Sequence, residues 1–152
     1  MLHIQSTEKY VTSINFIDSN PFISSEASPE VLQHCITQID EYFRGKRKVF
    51  DLELEQTGTN FQNKVWAQLT KIPYGKTISY LHLAQQTGDV KAIRAVAAAN
   101  GRNKIAIAVP CHRVIGTNKT LTGYAGGLWR KKWLLEHEAK FSSGTQQLEL
   151  IS

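Results

Sequence analysis

The chain has 152 residues, of which 41% are hydrophobic and 9% aromatic, and its formal net charge is +5. This composition is typical of a globular protein and excludes a fibrous or intrinsically disordered one. No apolar run approaches the roughly 18 to 20 residues that cross a membrane, and the N-terminus has no basic segment before an apolar core. The sequence therefore predicts a cytoplasmic protein that binds no membrane.

The charge is distributed unevenly along the chain. Residues 1–56 contain five Lys/Arg and nine Asp/Glu, a balance of −4, whereas residues 57–135 contain twelve Lys/Arg and one acid, Asp89, a balance of +11. A basic half joined to an acidic half favours contact between the basic half and a polyanion, with nucleic acid the leading candidate. A solvated basic surface without such a partner is the alternative that charge alone leaves open.

The two cysteines are predicted to be free thiols. Cys35 and Cys111 lie 76 positions apart without a CxxC or CxC motif, which disfavours both a disulfide framework and a thiolate-rich zinc site. A reducing compartment suits such a pair. Which of the two thiols reacts is decided by its neighbours.

Composition and apolar spacing predict an N-terminal α/β domain over residues 1–56, a C-terminal domain over 57–140 and a flexible tail over 141–152. Within the first domain, residues 9–17 alternate as a strand does, and residues 29–43 carry apolar side chains at helical spacing. That apolar stripe consists of Val31, Leu32, Cys35, Ile36, Ile39 and Phe43. The stripe makes Cys35 a predicted core residue.

The second domain is predicted to be mainly helical. Its first helix spans residues 61–69, and Thr59 or Asn60 can cap it, because both side chains accept hydrogen bonds from helix N–H groups. The composition of residues 72–75, Ile-Pro-Tyr-Gly, predicts the turn that follows.

Two short helices follow in a strongly basic segment. Ser79 caps the first, which the Gly88 turn breaks, and Asp89 caps the second, over residues 90–100. This pattern predicts a helix-turn-helix. The second helix is rich in alanine, with Arg94 as the long cation in its middle, so its thin face can approach another surface closely. A helix of high propensity buried in the core fits the same composition.

The last part of this domain begins with a short apolar run, residues 105–109, which predicts a buried strand that Pro110 terminates. A loop over residues 116–127 contains several glycines, and a helix near residues 128–138 follows it. The predicted buried contacts of that helix are Trp133, Leu134 and Leu135.

A cysteine and a histidine stand next to each other directly after the predicted strand, as Cys111 and His112. A free thiol is about 3% ionised at pH 7, and lowering its pKa by about two units makes most of it nucleophilic. His112, Arg113 or a nearby helix N-terminus can supply that stabilisation, and His112 can act through a bridging water. Taken alone, the pair predicts a reactive thiol, so a thiol hydrolase or a redox enzyme stays open.

The surroundings of this pair are much more specific. The runs are PCHRVIG at 110–116, TGYAGG at 122–127, WLLEHE at 133–138, YFRGKRKVFDLEL at 42–54, GTNFQNKVW at 58–66, IPYGKTISY at 72–80 and KAIRAVAAANGRN at 91–103. Together they strongly resemble the O6-alkylguanine-DNA alkyltransferases, also called methylated-DNA-protein-cysteine methyltransferases, and especially their bacterial Ogt-like branch. The likeness covers roughly residues 40–138 in order, while residues 1–40 agree in length and position.

The resemblance implies an α+β fold. It has a small N-terminal domain with an antiparallel, ribonuclease H-like sheet, and a mainly helical C-terminal domain with a winged helix-turn-helix. The implied activity is DNA repair by direct reversal, in which an alkyl group moves from O6-alkylguanine in double-stranded DNA to the protein. Nothing in the sequence offers a route to cleave the resulting thioether, so one turnover per molecule is expected.

The resemblance gives catalytic functions to five residues. Cys111 matches the alkyl acceptor, His112 the histidine that relays the thiol proton through water, and Glu138 the carboxylate that orients this histidine. Tyr80 matches the tyrosine whose hydroxyl donates to a ring nitrogen of the leaving guanine. Asn103 matches the asparagine that tethers the active-site region.

The resemblance also implies how the DNA is held. Arg94 matches the arginine that occupies the gap left by an extruded base, on a helix placed in the minor groove. The other residues expected to contact DNA are Ala95, Arg102 and Tyr80. The pocket for the base is expected to be lined by Val109, Tyr124, Ala125 and Gly126, and some members of the family carry Ser at the position of Ala125.

No metal and no cofactor are expected, because the zinc site of some family members needs N-terminal cysteines beyond Cys35. The protein is expected to be a monomer. A non-catalytic alkyltransferase-like protein that binds DNA lesions is the alternative. The presence of Cys111 speaks against it, since such proteins lack the acceptor cysteine.

Overall fold

The structure, a computed structural model, describes residues 1–18, 28–118 and 121–142. Most of the predicted flexible tail, residues 143–152, lies outside this range. No helix within the described residues is long and apolar enough to cross a membrane.

The chain forms two compact units. The first comprises Met1–Gln56 together with Lys104–Ala106, and the second comprises Thr57–Asn103 together with Ile107–Ser152. The first contains an antiparallel strand pair and a helix, and the second is mainly helical. The predicted α+β fold class is therefore confirmed.

In the first unit, β1 (Leu2–Ser6) pairs with β2 (Val11–Phe16) in an antiparallel hairpin. The register joins Ile4 to Ile14 and shifts after Gln5. Val11 and Ile14 are fully buried, so one face of β2 contributes to the core. The sequence predicts the second strand and misses the first, because the alternation of β1 covers five residues and none of them is fully buried.

The helix of this unit, α1 (Glu30–Phe43), packs on the hairpin. Cys35 is fully buried and burial raises its thiol pKa to about 11, which confirms its predicted place in the core. Ile36, predicted on the buried stripe, is 51% exposed. Gln38 is buried instead, because its amide group donates to the carbonyl of Asp51 (2.9 Å) and accepts from the N–H of Asp51 (2.9 Å).

The apolar run at residues 105–109 does not form the predicted strand. Ile105 bridges to Ile14 through backbone hydrogen bonds on either side of it, and the following residues turn. Ile107 has φ +73°, in the left-handed region that a β-branched residue seldom adopts. Ile105, Ile107 and Val109 are all buried, so the apolar pattern predicts burial correctly and the backbone conformation wrongly.

In the second unit, α2 (Asn60–Leu69) begins with a capping box. The Thr59 hydroxyl accepts from the N–H of Gln62 (3.1 Å), and the Gln62 side chain accepts from the N–H of Thr59 (3.0 Å). Thr59, and not Asn60, is thus the cap.

Two further helices, α3 (Tyr80–Thr87) and α4 (Ile93–Gly101), pack against each other and against α2. Gly88 ends α3 with φ +106°, and Asp89 accepts a hydrogen bond where the next segment begins. That segment, Val90–Ala92, is a 3-10 turn, so α4 begins three residues later than predicted. The arrangement is consistent with a helix-turn-helix.

The unit is completed by a parallel pair of two-residue strands and a long helix. The strands are β3 (Ile78–Ser79) and β4 (Val114–Ile115), and the helix is α5 (Leu128–Phe141). The described part of this unit contains no antiparallel hairpin that forms the predicted wing. On α5, Leu134 is buried as predicted, whereas Trp133 is 46% exposed, because it lies beside the buried stripe of the helix.

Candidate active site

Cys111 begins a 3-10 turn, Cys111–Arg113, that follows Pro110. Pro110 adopts an inverse γ-turn (φ −81°, ψ 64°), in which the N–H of Cys111 donates to the carbonyl of Val109 at 2.8 Å. Cys111 as a whole is 7% exposed. Proline thus fixes the direction in which the chain presents Cys111.

The pKa of the Cys111 thiol is raised above its ordinary value, which contradicts the lowered pKa expected from the sequence. Burial is the main cause, while the Asn103 amide and the charge of Lys131 oppose it. The resting thiol is therefore protonated, and a nucleophilic thiolate has to be produced by removing its proton during the reaction.

His112 is fully buried, and its Nε2 lies 2.6 Å from Oε2 of Glu138. Burial lowers the pKa of His112, and the carboxylate of Glu138 opposes that effect. Because Glu138 is ionised, Nε2 carries the proton and donates, which leaves Nδ1 as an acceptor. Nδ1 is buried and has no hydrogen-bond partner among the described residues. A neutral His112 can therefore accept a proton at Nδ1.

The carboxylate of Glu138 accepts hydrogen bonds from several neighbouring groups. Burial alone raises its pKa, but the interactions with His112 and Arg113 lower the pKa well below its usual range. Arg113 donates from Nε to Oε1 (2.8 Å) and from Nη2 to Oε2 (3.0 Å), and the N–H of Gly75 donates to Oε1 (3.2 Å). The Arg113 Nη1 donates to the carbonyl of Ile72 (2.7 Å). Arg113, which the sequence suggested as a partner of the thiol, instead fixes the carboxylate that orients His112.

Tyr80 begins α3 and lies near the thiol. Its hydroxyl donates to the carbonyl of Thr122 at 3.3 Å, and the Asn100 side chain also bonds to it. Burial raises the pKa of the hydroxyl, and the charge of Cys111 contributes in the same direction. A hydroxyl that stays protonated can donate a hydrogen bond to a bound group.

Asn103 and Asn100 connect α4 to the cysteine turn. Asn103 donates from Nδ2 to the carbonyl of Val109 (2.8 Å) and its side chain bonds to the thiol of Cys111. Asn100 is buried and its Nδ2 lies 3.4 Å from the carbonyl of Cys111. The sequence pointed to Asn103 and gave no signal for Asn100.

The glycine-bearing loop brings Tyr124 to the same place. Tyr124 is half-buried, and burial and the charge of Cys111 both raise the pKa of its hydroxyl. Ala125 is exposed, and the carbonyl of Gly126 accepts from Arg130 at 3.2 Å. Of the three loop residues expected to line a pocket, Tyr124 is the one with a described interaction with Cys111.

Lys131 is a further member of the site that the sequence prediction missed. It is fully buried on α5, and its Nζ donates to the carbonyls of Val114 (2.6 Å) and Thr122 (2.9 Å). The ammonium lies 5.6 Å from the centre of the Tyr80 ring. Helical spacing contained a signal, because Lys131 and Glu138 are seven residues apart and share the buried stripe of α5.

Of the residues predicted to contact DNA, Arg94 and Ala95 lie on α4, Arg102 directly follows its last residue, and Tyr80 begins α3. Arg94, Ala95 and Arg102 are exposed, whereas Val96 and Ala99 are buried. The exposed residues recur at helical spacing and combine small side chains with cations. One side of the alanine-rich helix is therefore core and the other is exposed, and contact of the exposed side with DNA stays a prediction.

The described residues contain no group of three or more His, Cys, Asp or Glu side chains placed to hold a metal ion. The site consists of the thiol, the hydrogen-bonded His112–Glu138–Arg113 series, two asparagines, two tyrosines and a buried lysine.

Two family models match the chain: 6-O-methylguanine DNA methyltransferase, ribonuclease-like domain, over residues 1–56, and the DNA binding domain of the same family over residues 60–140. The methylated-DNA–protein-cysteine methyltransferase of Mycolicibacterium paratuberculosis is 41% identical over 151 residues, which cover 97% of this chain and 92% of that protein. The constitutive methylated-DNA–protein-cysteine methyltransferase of Bacillus subtilis is 46% identical over 122 residues, 79% of this chain and 74% of that protein.

Among solved structures, that of Mycobacterium tuberculosis OGT in complex with DNA superimposes with a TM-score of 0.83 at 42% identity, and the match covers 93% of this chain and 88% of that one. The resemblance seen in the sequence is thereby confirmed. Since both of its units are matched, the chain belongs to the 6-O-methylguanine DNA methyltransferase family.

Proposed function

We propose that this protein repairs DNA by direct reversal, through irreversible and stoichiometric transfer of an alkyl group from O6-alkylguanine in double-stranded DNA to Cys111. The observation that carries the proposal is the buried Cys111 beside the hydrogen-bonded His112 and Glu138, in a chain of this family. Relatives that cover most of the chain are named methylated-DNA–protein-cysteine methyltransferases, which supports the same activity.

The side chains suit an in-line substitution. His112 takes the thiol proton at Nδ1 through a water molecule, and the resulting sulfur anion attacks the alkyl carbon. The S–C bond forms as the C–O6 bond breaks, and the bonding electron pair passes to the guanine. Tyr80 donates a hydrogen bond to a ring nitrogen of that anionic base. The product is a thioether, which does not revert to the thiol, so each molecule acts once.

The residues around the thiol are proposed to have the functions that the family resemblance implies. Asn103 fixes the carbonyl of Val109 and contacts the thiol, and Tyr124, Ala125 and Gly126 line the space for the extruded base. The raised pKa of the Cys111 thiol supports a mechanism in which His112 removes the thiol proton during the reaction, because a thiol that is already ionised requires no base. Monomeric state, cytoplasmic location and the absence of a metal or cofactor remain predictions.

The direct test is a mass measurement. Incubation with a duplex oligonucleotide carrying one O6-methylguanine is expected to add about 14 Da, the mass of one CH2, to the peptide that contains Cys111. The guanine strand should lose the same mass, in a one-to-one ratio with the protein. A protein that binds this duplex without gaining mass is a lesion-binding module, and a gain on Cys35 places the acceptor elsewhere; either result contradicts the proposal.

Arg94 is proposed to occupy the gap left by the extruded base, with Ala95 beside it on α4 and Arg102 directly after the helix contacting the same DNA. Extrusion costs a few kcal/mol, so Arg94→Ala is expected to slow repair of duplex DNA by about 30-fold or more. The reaction with free O6-benzylguanine should change by less than about twofold, since no base is extruded. Lys71→Ala, which removes another exposed cation, is the matched control. Equal losses on both substrates would assign Arg94 to the chemistry or to folding.

A further inference from the structure

Lys131 places a positive charge inside the protein, bonded to the carbonyl of Val114, the residue that directly follows the Cys111–Arg113 turn. The side chain is fully buried, and its ammonium donates to the carbonyls of Val114 and Thr122. Moving an ammonium ion out of water costs several kcal/mol even after the surroundings relax. Neutral carbonyl groups offset part of that cost, and an opposite charge offsets more.

The carboxylates of the described residues do not provide that opposite charge. Glu138, the buried carboxylate of the site, is bound by His112 and Arg113, and no ion pair joins a carboxylate to Lys131 in the part of the chain that the structure describes. Burial lowers the pKa of Lys131 to about 8, and the charge of Cys111 raises it. The charge of Lys131 also lowers the pKa of His112, but an ionised His112 is a second cation, so of these two groups only Cys111 can supply an opposite charge.

The interaction is reciprocal. The charge of Lys131 lowers the pKa of the Cys111 thiol, against the larger effect of burial. The other charged or titratable groups around the thiol are His112 and Arg113 from its own turn, Glu138 from α5, Tyr80 from α3 and Tyr124 from the loop. None of these is a fixed cation free of a carboxylate, because Arg113 is bound to Glu138.

We propose that Lys131 is the counter-ion of the Cys111 thiolate, a positioning residue whose ammonium stabilises the sulfur anion that attacks the alkyl carbon. This inference rests on the proposed function and adds a second requirement to it. His112 and Glu138 remove the proton, and Lys131 stabilises the charge that remains on sulfur. The resting thiol is protonated and the product is a neutral thioether, so the ion pair exists only from removal of the thiol proton until the S–C bond has formed.

A test on the thiol alone separates this inference from the repair reaction. The rate at which iodoacetamide alkylates Cys111 is measured against pH, by mass spectrometry of the peptide that contains it. In Lys131→Met the apparent pKa of the thiol is expected to rise by at least about one unit, so alkylation at neutral pH slows about tenfold. Lys132→Met, which removes a half-exposed cation from the next position, should leave the profile unchanged.

An unchanged profile in Lys131→Met overturns the inference, and so does an equal shift in both variants. Because the assay contains no DNA, neither result bears on methyl transfer from O6-methylguanine, which is measured separately. A merely structural Lys131, which holds Val114 and Thr122 together, alters stability and leaves the pKa of the thiol of the folded protein where it is.

A second measurement uses the unaltered chain and so does not depend on how the variant folds. The rate at which iodoacetamide alkylates Cys111 is measured in the parent chain across the pKa of Lys131, which is about 8. Loss of the ammonium charge as the pH rises through this value is expected to make the rate increase less steeply above about pH 8 than below it. A rate that rises with the same slope on both sides of about pH 8 overturns the inference.

Discussion

Cys111→Ser is expected to abolish alkyl transfer, with no mass gain on the protein after prolonged incubation with excess O6-methylguanine duplex. The thiol is buried, and burial already raises its pKa. A hydroxyl is far less acidic than a thiol, so in the same surroundings it yields almost no anion, and its oxygen is a weaker nucleophile toward carbon. Mass spectrometry of the whole protein and of its peptides measures the loss directly.

The matched control is Cys35→Ala, in which the other thiol is removed. Burial raises the pKa of Cys35 to about 11, and its side chain serves the core of the first unit. This variant is expected to keep the full stoichiometry of transfer, with a loss of about 1 kcal/mol in unfolding free energy. Cys111→Ser should still bind the modified duplex, because binding does not use the sulfur. Residual transfer in Cys111→Ser, or its loss in Cys35→Ala, contradicts the assignment of the acceptor.

Local signals in the sequence predicted much of the helical unit. The polar residues Thr59, Ser79 and Asp89 each accept a hydrogen bond at the start of a helical segment, as their positions before apolar runs indicate. Gly88 ends α3 in the left-handed conformation that glycine adopts without strain. These features depend on a few neighbouring residues, so they can be recognised without the tertiary structure.

The run at residues 105–109 shows where such local signals fail. Its alternating apolar side chains are buried as predicted, but the residues after Ile105 turn. The backbone partner of this segment is Ile14, about ninety positions away in the sequence, and hydrogen bonds to it stop at Ala106. Periodicity reports which side chains are buried and does not report where a distant strand ceases to pair.

The electrostatics of the site were the least predictable part. The sequence placed cationic residues near Cys111 and suggested a lowered thiol pKa, yet burial raises it. Arg113, a neighbour in sequence, is bound to Glu138, while Lys131, twenty residues away, acts on the thiol. Desolvation depends on the packing of the whole unit, and adjacency in the chain does not reveal which charge a side chain meets.

Glu138→Gln is expected to have the second largest effect, on both the rate of transfer and stability. In the parent protein the carboxylate accepts from His112 (2.6 Å), twice from Arg113 and once from Gly75. An amide turns its NH2 group toward donors in either orientation and leaves the buried Arg113 without its counter-charge. The unfolding free energy should fall by about 3 kcal/mol or more. Without the carboxylate that accepts from its Nε2–H, His112 is no longer held in the orientation that takes the thiol proton. Alkyl transfer should therefore slow by roughly 100-fold or more.

The pH dependence of the unfolding free energy shows how much of the effect of Glu138→Gln comes from loss of the negative charge and how much from the changed side-chain shape. Since the folded-state pKa of Glu138 lies below its unfolded value, its stabilisation is present above the unfolded pKa of about 4.3 and is lost as the pH falls through the folded value. The difference in unfolding free energy between parent and Glu138→Gln should therefore be constant near neutral pH and shrink below about pH 4.

Glu136→Gln is the control for this substitution, because it makes the same chemical change at an exposed position of α5, 4.0 Å from Lys132. It is expected to change the unfolding free energy by less than about 0.5 kcal/mol, and the transfer rate should stay that of the parent. Rates are compared under conditions in which circular dichroism shows each variant fully folded. A folded Glu138→Gln that transfers at the parental rate would show that the carboxylate serves stability alone. His112 would then take the thiol proton without an orienting partner.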